Sequence, residues 1–232
     1  MFKGKTLLGL GCSHTFGEYG EQYIAEDSSD AWICHNRSWV KKLETLGNFK
    51  SSINLAAPGG SNDRSIRVLL DYLEYNDTEN LVVIFALTEL SRLELLKIRS
   101  DLVTYEITKA GLWQTDPGIN TDISYQKFIK QFYSEYYSHE FQKKLIKQRL
   151  VMLDIFLKSL NIEHYFINML CTDEDLVDIK SSIPLLEFYV ESYKGNVIDC
   201  VKKLNFKPDN TNHFDHDASE YIAKYIYDNI IR

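Results

Sequence analysis

The sequence has few cysteines and no long apolar run, and each absence argues against a class of protein. Its 232 residues include four cysteines, at positions 12, 34, 171 and 200, and no CxxC pair. This spacing argues against a zinc site and indicates reduced thiols. The first apolar run, residues 7–10, meets a glycine and is too short for a signal-peptide core or a membrane span. We therefore expect a cytoplasmic protein that makes no membrane contact.

Clustered positive charge and phosphate-binding motifs are also missing. The chain has 26 Lys and Arg against 33 Asp and Glu, and its basic residues are scattered. This distribution argues against nucleic acid as a partner. The glycines at 59 and 60 lack the GxGxxG or GxxxxGK[ST] spacing that phosphate binding requires. Because no repeat, low-complexity tract or linker divides the chain, we expect one domain over residues 1–232.

Short apolar runs alternate with helical patterns along the chain. The runs at 52–56, 81–87 and 164–170 have the character of strands, and 81–87 is typical of a central strand buried on both faces. This alternation predicts a mostly parallel sheet covered by helices on both sides. We expect loops at 17–35 and 111–120, and an insertion around 95–125 that lies near the site or at an interface.

A small hydroxyl residue follows the first predicted strand. The strand ends at Gly11, and Ser13 comes two positions later. In open α/β sheets the ligands bind at the carboxyl ends of the strands, which makes Ser13 a candidate nucleophile. The alternative interpretation is that Ser13 caps the helix after the strand. A nucleophilic serine also needs a base, an orienting acid and donors for an oxyanion.

The base and the acid are sought in a histidine-rich segment before the last helix. His213 is the candidate base, because an imidazole titrates near neutrality. Asp209 or Asp215 would orient its ring, with Asp209 preferred. His213 and His216 are equally interpreted as surface histidines, and His14 is a further candidate that points either to the site or outward. The oxyanion donors would be the backbone N–H groups of residues 13 and 59 and the side-chain amide of Asn62.

Residues 11–17, GCSHTFG, resemble the first block of the SGNH (GDSL-type) hydrolases in the GCSxTxG form of many phage and bacterial members. Residues 54–62 resemble the second block, in which a glycine five residues after an asparagine donates to the oxyanion, and Gly59 holds that place. His213 lies where the last block has its catalytic histidine. The resemblance implies a flavodoxin-like three-layer α/β/α fold and ester or acyl hydrolysis without metal or other cofactor.

Three positions depart from the pattern of the family. Cys12 stands where the family usually has Asp, a variant common in this subgroup. The third block normally supplies an asparagine to the oxyanion hole, and here Thr88, Asn62 or Arg92 would replace it. The last block has Asn210 three residues before His213 instead of an acid, although some members work as a Ser-His dyad.

The combined residues predict a serine hydrolase that acts on an O-acetyl or another small acyl ester. The substrate is a small molecule or a carbohydrate, and no nucleic acid takes part. One alternative is an inactive or weakly active binding protein on the same fold. Another is an acyltransferase, in which an acceptor other than water captures the acyl-enzyme. Assembly into a homo-oligomer stays open.

Overall fold

A parallel sheet forms the centre of the protein. The computed structural model describes residues 2–17, 28–97, 103–108, 111–114, 127–128, 130–186, 188–190, 193–206, 213 and 216–231. Five strands make the sheet, and the four longer ones are β1 (Thr6–Leu10), β2 (Ser51–Asn54), β3 (Leu81–Leu87) and β7 (Glu163–Asn168). Their order is β2-β1-β3-β7, with the two-residue strand β8 (Leu185–Leu186) beside β7, and all of them pair in parallel. Their carboxyl ends therefore meet at one edge.

Helices flank the sheet and connect its strands in the part of the chain that the structure describes. They are α1 (Ser13–Phe16), α2 (Ser28–Arg37), α3 (Trp39–Gly47), α4 (Asn62–Tyr75), α5 (His139–Ser159), α6 (Asp173–Lys180), α7 (Val197–Lys203) and α8 (His216–Ile226). Two π-helical turns, Phe132–Tyr136 and Tyr227–Ile231, precede α5 and follow α8. None of the described helices is long and apolar enough to cross a membrane.

Two apolar layers cover the two faces of the sheet. Alternate side chains of β3 point to opposite faces, and all seven of its residues are buried. Val82 and Ile84 pack with residues of α3, α7 and α8, whereas Val83 and Phe85 pack with residues of α4, α5 and α6. This arrangement confirms the predicted α/β class, with its three layers and mostly parallel sheet, and the double burial of residues 81–87.

A separate three-stranded antiparallel sheet follows the end of β3. It consists of β4 (Leu93–Lys97), β5 (Val103–Thr108) and β6 (Gly111–Gln114). The predicted loop at 111–120 is wrong for residues 111–114, because Leu112 and Trp113 lie in a strand that pairs with β5. Tertiary pairing has overridden the local turn composition there. A short hairpin, β9 (Phe188–Val190) and β10 (Tyr193–Gly195), precedes α7.

The loop predicted at 17–35 is also partly wrong. The structure has α2 from Ser28 onward, and α2 packs against α3. The polar composition of the segment hid this helix, since most helical stability in proteins comes from tertiary packing and not from propensity. The next helix, α3, has Ser38 as its N-cap: the Ser38 side chain accepts a hydrogen bond from the Lys41 backbone N–H. Residues 18–27 lie outside the described part of the chain.

Candidate active site

The candidate nucleophile lies at the first residue of α1. The preceding residue, Cys12, is the N-cap, and its side chain makes no capping hydrogen bond. The backbone N–H groups of Thr15 and Phe16 both donate to the Cys12 carbonyl at 2.9 Å. The interpretation that Ser13 caps this helix is therefore wrong. Ser13 is 6% exposed and lies just beyond the carboxyl end of β1.

Hydrogen bonds tie the loop after β2 to residues 11–17, which are called the nucleophile segment after the candidate Ser13. The Asn54 side-chain amide donates to the carbonyl of Thr15 at 2.8 Å, and its oxygen accepts from the backbone N–H of Ala56 at 3.2 Å. The backbone N–H of Ala57 donates to the carbonyl of Gly11 at 3.3 Å. Asn54 thus satisfies a carbonyl at the C-terminal end of α1, and the two loops are held together at several points.

The two adjacent glycines bring this second loop close to the nucleophile. Gly59 has a left-handed φ of +67° and is buried. Gly60 lies against the backbone of the nucleophile segment, because a Cβ added there would be 2.8 Å from the Gly11 carbonyl oxygen and 3.6 Å from Cys12 Cα. Only a residue without a side chain permits this approach. The structure therefore brings Gly59 and Gly60 to the edge of the sheet where Ser13 lies.

A reciprocal pair of hydrogen bonds joins Asn62 to the end of β3. The Asn62 amide donates to the Thr88 carbonyl, and its oxygen accepts from the Thr88 N–H, both at 3.0 Å. The Cys171 thiol also donates to the Thr88 carbonyl at 3.0 Å. Burial raises the pKa of the Cys171 thiol, followed by the charge of Asp175, so Cys171 remains a protonated donor. The backbone of Thr88 is thus held by two side chains from different parts of the chain.

The side chain of Thr88, unlike its backbone, is not held by hydrogen bonds to described residues. Thr88 is fully buried, and its hydroxyl has no hydrogen-bond partner among the described residues. A buried hydroxyl without a partner is uncommon in proteins and calls for an explanation. Thr88 stands where the resemblance expects an asparagine that donates to the oxyanion. Its hydroxyl is therefore the side-chain donor that the structure leaves uncommitted at the end of β3.

His213 lies beside the nucleophile segment. It is 9% exposed, and its ring centroid is 5.0 Å from that of His14 with an angle of 45° between the ring planes. His14 directly follows Ser13 in α1. The structure thus brings together two histidines from opposite ends of the chain at the carboxyl edge of the sheet.

The remaining predicted residues are His216, Arg92 and the two candidate acids. His216 is the exposed first residue of α8, where its Nε2 atom lies 2.9 Å from Lys42 Nζ and 3.6 Å from a Glu220 carboxylate oxygen. Arg92 follows the end of β3, and its Nε atom pairs with the Glu89 carboxylate at 3.4 Å. Residues 209 and 215, the two candidate acids, lie outside the described part of the chain.

Sequence reasoning missed the polar residues at the end of β7. Asn168 is buried, donates to the Cys171 carbonyl at 3.2 Å and accepts from the Cys171 N–H at 2.9 Å. Asn196 donates to the same carbonyl at 3.3 Å. These bonds hold Cys171 where its thiol meets Thr88. The available signal was an asparagine at the end of a buried strand, a position where its side chain replaces backbone hydrogen bonds.

The chemistry that this arrangement permits is nucleophilic. One edge of the sheet brings together the hydroxyl of Ser13, the imidazole of its neighbour His14 and the backbone of the glycine loop. A hydroxyl, an imidazole and backbone N–H groups are the combination used in acyl transfer. Among the described residues, no group of three or more His, Cys, Asp or Glu side chains is arranged to hold a metal ion.

A solved structure shares this architecture over nearly the whole chain. The psychrotrophic esterase EstA from Pseudoalteromonas sp. matches 97% of this chain and 96% of its own, with 15% sequence identity and a TM-score of 0.50. This chain has the fold of that esterase. Its parallel sheet with flanking helices is consistent with the SGNH hydrolase fold that the sequence resemblance implies. At such low identity, the likeness establishes the fold alone.

Two further structures are similar to a lesser degree. A carbohydrate esterase, whose active site is described as having divergent catalytic and non-catalytic binding functions, matches 97% of this chain and 64% of its own, at 11% identity and a TM-score of 0.48. A protein from Desulfitobacterium hafniense DCB-2, described as lipolytic and of the G-D-S-L family, matches 96% and 97%, at 10% identity and a TM-score of 0.43. No protein-family model and no curated protein matches the chain significantly.

Proposed function

We propose that this protein is a serine hydrolase of small acyl esters, with Ser13 as nucleophile and His213 as general base. The observation that carries the proposal is the contact between the rings of His213 and His14, because His14 is the immediate neighbour of Ser13. A histidine beside a hydroxyl at the carboxyl edge of a parallel sheet has the two groups that nucleophilic acyl transfer needs.

In the proposed reaction, Ser13 Oγ attacks the ester carbonyl while His213 accepts its proton. The tetrahedral intermediate collapses to an acyl-enzyme, and His213 returns the proton to the leaving alcohol. Water then attacks the acyl group with His213 again as base, which releases the acid and restores Ser13. Asp209 or Asp215 would orient the imidazole, and without an acid the pair would act as a Ser-His dyad.

Three donors are proposed for the oxyanion. Ser13 is the first residue of α1, so its backbone N–H has no acceptor within the helix. Gly59 contributes a second backbone N–H from the loop that packs against the nucleophile segment. The Thr88 hydroxyl is the third donor, in the place of the missing asparagine. Asn62 then acts through Thr88, whose backbone it holds, and not as a direct donor.

The surroundings of the nucleophile support a small acyl group. Ser13 is only 6% exposed, and the glycine loop packs closely against the backbone beside it. We therefore propose an O-acetyl or similarly small ester as substrate, with an alcohol part that is a small molecule or a carbohydrate.

The proposal is tested by hydrolysis of p-nitrophenyl acetate. We expect purified protein to turn over this ester, and Ser13→Ala to lower kcat by at least about 1000-fold, because the acyl-enzyme then cannot form. A melting curve of the variant checks that it remains folded. Equal activity of the wild type and Ser13→Ala would refute the assignment. Product analysis with added alcohols separates hydrolysis from transfer to an acceptor.

One observation favours a second function, that of a non-catalytic binding protein on the same fold. The Asn62 amide is committed to Thr88, and the Thr88 hydroxyl is fully buried, so the side-chain part of the oxyanion hole is not open to solvent. A fluorophosphonate probe separates the two functions, because it labels only an activated serine. A hydrolase is labelled at Ser13, whereas a folded binding protein stays unlabelled.

A further inference from the structure

We infer that His14 is a positioning residue that holds the ring of His213 in the orientation needed for proton transfer. This inference rests on the proposed function, since it gives His14 a role through His213. The sequence resemblance assigns no role to this position of the first block. The inference starts from the 5.0 Å separation of the two ring centroids, a contact that connects the first motif of the chain to its last.

The contact is suited to restrict the His213 ring. An imidazole turns about two side-chain bonds, and a general base must present one particular nitrogen to the hydroxyl proton. A neighbouring ring at this distance, tilted by 45°, limits the rotations that His213 can make. His213 itself is 9% exposed, so the contact lies in a closely packed environment and not on an open surface.

His14 can serve this purpose because its own backbone is held firmly. The Gly17 N–H donates to the Ser13 carbonyl at 3.0 Å, which closes α1 at its C-terminal end. The Asn54 amide anchors the carbonyl of Thr15 at 2.8 Å. Hydrogen bonds from residues 15, 16, 17 and 54 therefore surround His14. A displacement of its ring would have to come from the side chain alone.

Ser13 and His14 leave α1 in different directions. Successive helical residues point about 100° apart around the axis. The contact of the His14 ring with His213 therefore does not use the direction in which the Ser13 side chain leaves the helix.

The sequence near His213 makes a second source of orientation useful. The residue three positions before it, where the resemblance expects an acid, is Asn210. An uncharged residue there cannot hold the imidazolium as a carboxylate does. A ring contact supplied by the first motif fixes the orientation by packing, whichever residue acts on the imidazole by charge.

The test compares His14→Ala with His14→Phe in the full chain, using p-nitrophenyl acetate. We expect His14→Ala to lower kcat by about 10- to 100-fold, because a misplaced base loses rate steeply, and to leave KM within about twofold. Phe restores a ring of similar size, so His14→Phe should recover kcat to within about fivefold of the wild type. Phe141→Ala, which removes a 65% exposed ring at the start of α5, is the control and should not change kcat.

Several outcomes would overturn the inference. The first is a kcat for His14→Ala within about twofold of the wild type. The second is a His14→Phe variant as slow as His14→Ala. The third is a raised KM with unchanged kcat in His14→Ala, which would indicate that His14 contacts the substrate. If the wild type neither hydrolyses the ester nor reacts with the fluorophosphonate, the proposed function fails. The positioning contact is then decided by NMR: a ring-proton cross-relaxation signal between the two histidines retains it, and the absence of that signal refutes it.

Discussion

At the scale of single residues, the most consequential assignment is that of Asn62. The sequence offers Asn62 as a side-chain donor to an oxyanion, but its amide holds both backbone polar groups of Thr88. Amide and backbone bonds of this kind satisfy buried groups that would otherwise be costly to bury. The effect is to immobilise Thr88 while its hydroxyl stays uncommitted among the described residues.

This arrangement leads to a prediction for Thr88→Val. Valine has nearly the same shape and lacks the hydroxyl, so we expect the free energy of unfolding to change by less than about 1 kcal/mol. If the hydroxyl donates to the oxyanion, kcat for p-nitrophenyl acetate should fall by about 100-fold, as for other lost donors. Steady-state kinetics and urea unfolding measure the two quantities.

Thr88→Ser is the matched control, since it keeps the hydroxyl and removes only a methyl group. We expect it to retain most of the activity of the wild type. Wild-type kcat in Thr88→Val would contradict the role of the hydroxyl and would leave the oxyanion to the backbone N–H groups of Ser13 and Gly59.

At the scale of elements, the site depends on two strand-loop-helix units that contact each other. Ser13 begins α1 directly after the turn that follows β1, and the loop after β2 carries Gly59 and Gly60. Asn54 and Ala57 bond the second loop to the first. Because each loop leaves the sheet at its carboxyl edge, a change in one is transmitted directly to the other.

We predict that Gly60→Ala impairs activity, although Gly60 is not one of the proposed reacting groups. The added Cβ would lie 2.8 Å from the Gly11 carbonyl oxygen and 3.0 Å from that of Ala57, so the backbone must shift. We expect kcat to fall by about tenfold or more and the free energy of unfolding to fall by about 1–3 kcal/mol. Kinetics with p-nitrophenyl acetate and urea unfolding measure both.

Gly4→Ala provides the comparison, because Gly4 lies before β1, at the opposite end of that strand from Ser13. A Cβ there meets nothing within 4 Å, although its φ of +91° makes the variant somewhat less stable. We expect unchanged kcat. If Gly60→Ala loses stability but not activity, the close approach of the two loops serves folding only.

Local patterns predicted most of these elements. The run from Leu81 to Leu87 coincides with β3, and the run at 164–170 overlaps β7. The amino-terminal part of α2 and strand β6 were not predicted. Their residues lack a clear period, and they acquire their structure from packing on α3 and pairing with β5.

At the scale of the whole molecule, a buried charged group connects α5 to the central sheet. Asp154 on α5 accepts hydrogen bonds from Lys158 Nζ at 2.7 Å and from His164 Nε2, on β7, at 2.9 Å. Burial alone would raise the pKa of Asp154, but the hydrogen bonds from Lys158 and His164 outweigh it and hold this pKa below its ordinary value. The ionised carboxylate therefore stabilises the folded protein.

Because folding lowers the pKa of Asp154, the free energy of unfolding depends on pH. A pKa lower in the folded than in the unfolded chain gives stability that is present above the unfolded value of about 4 and lost as the pH falls through the folded value. We predict that Asp154→Asn lowers the free energy of unfolding at pH 7 by roughly 2 kcal/mol, the contribution of hydrogen bonds to a charged group. The difference from the wild type should shrink below about pH 4.

Urea unfolding between pH 7 and pH 3 measures this difference. Glu79→Gln, which removes a carboxylate from the exposed turn before β3, is the control and should leave the pH dependence unchanged. An equal loss at pH 7 and pH 3 in Asp154→Asn would mean that the shape of the side chain matters and its charge does not.

The sequence by itself determined the α/β class, the central strand at 81–87, the two glycine-bearing loops and the candidates Ser13, Gly59 and His213. These features depend on local periodicity and on residue types at short spacing, which neighbouring residues express without help from distant ones. Tertiary structure alone decided the partners. Asn62 turns to Thr88 and His14 to His213 because packing of helices on both faces of the sheet brings together residues that no local pattern relates.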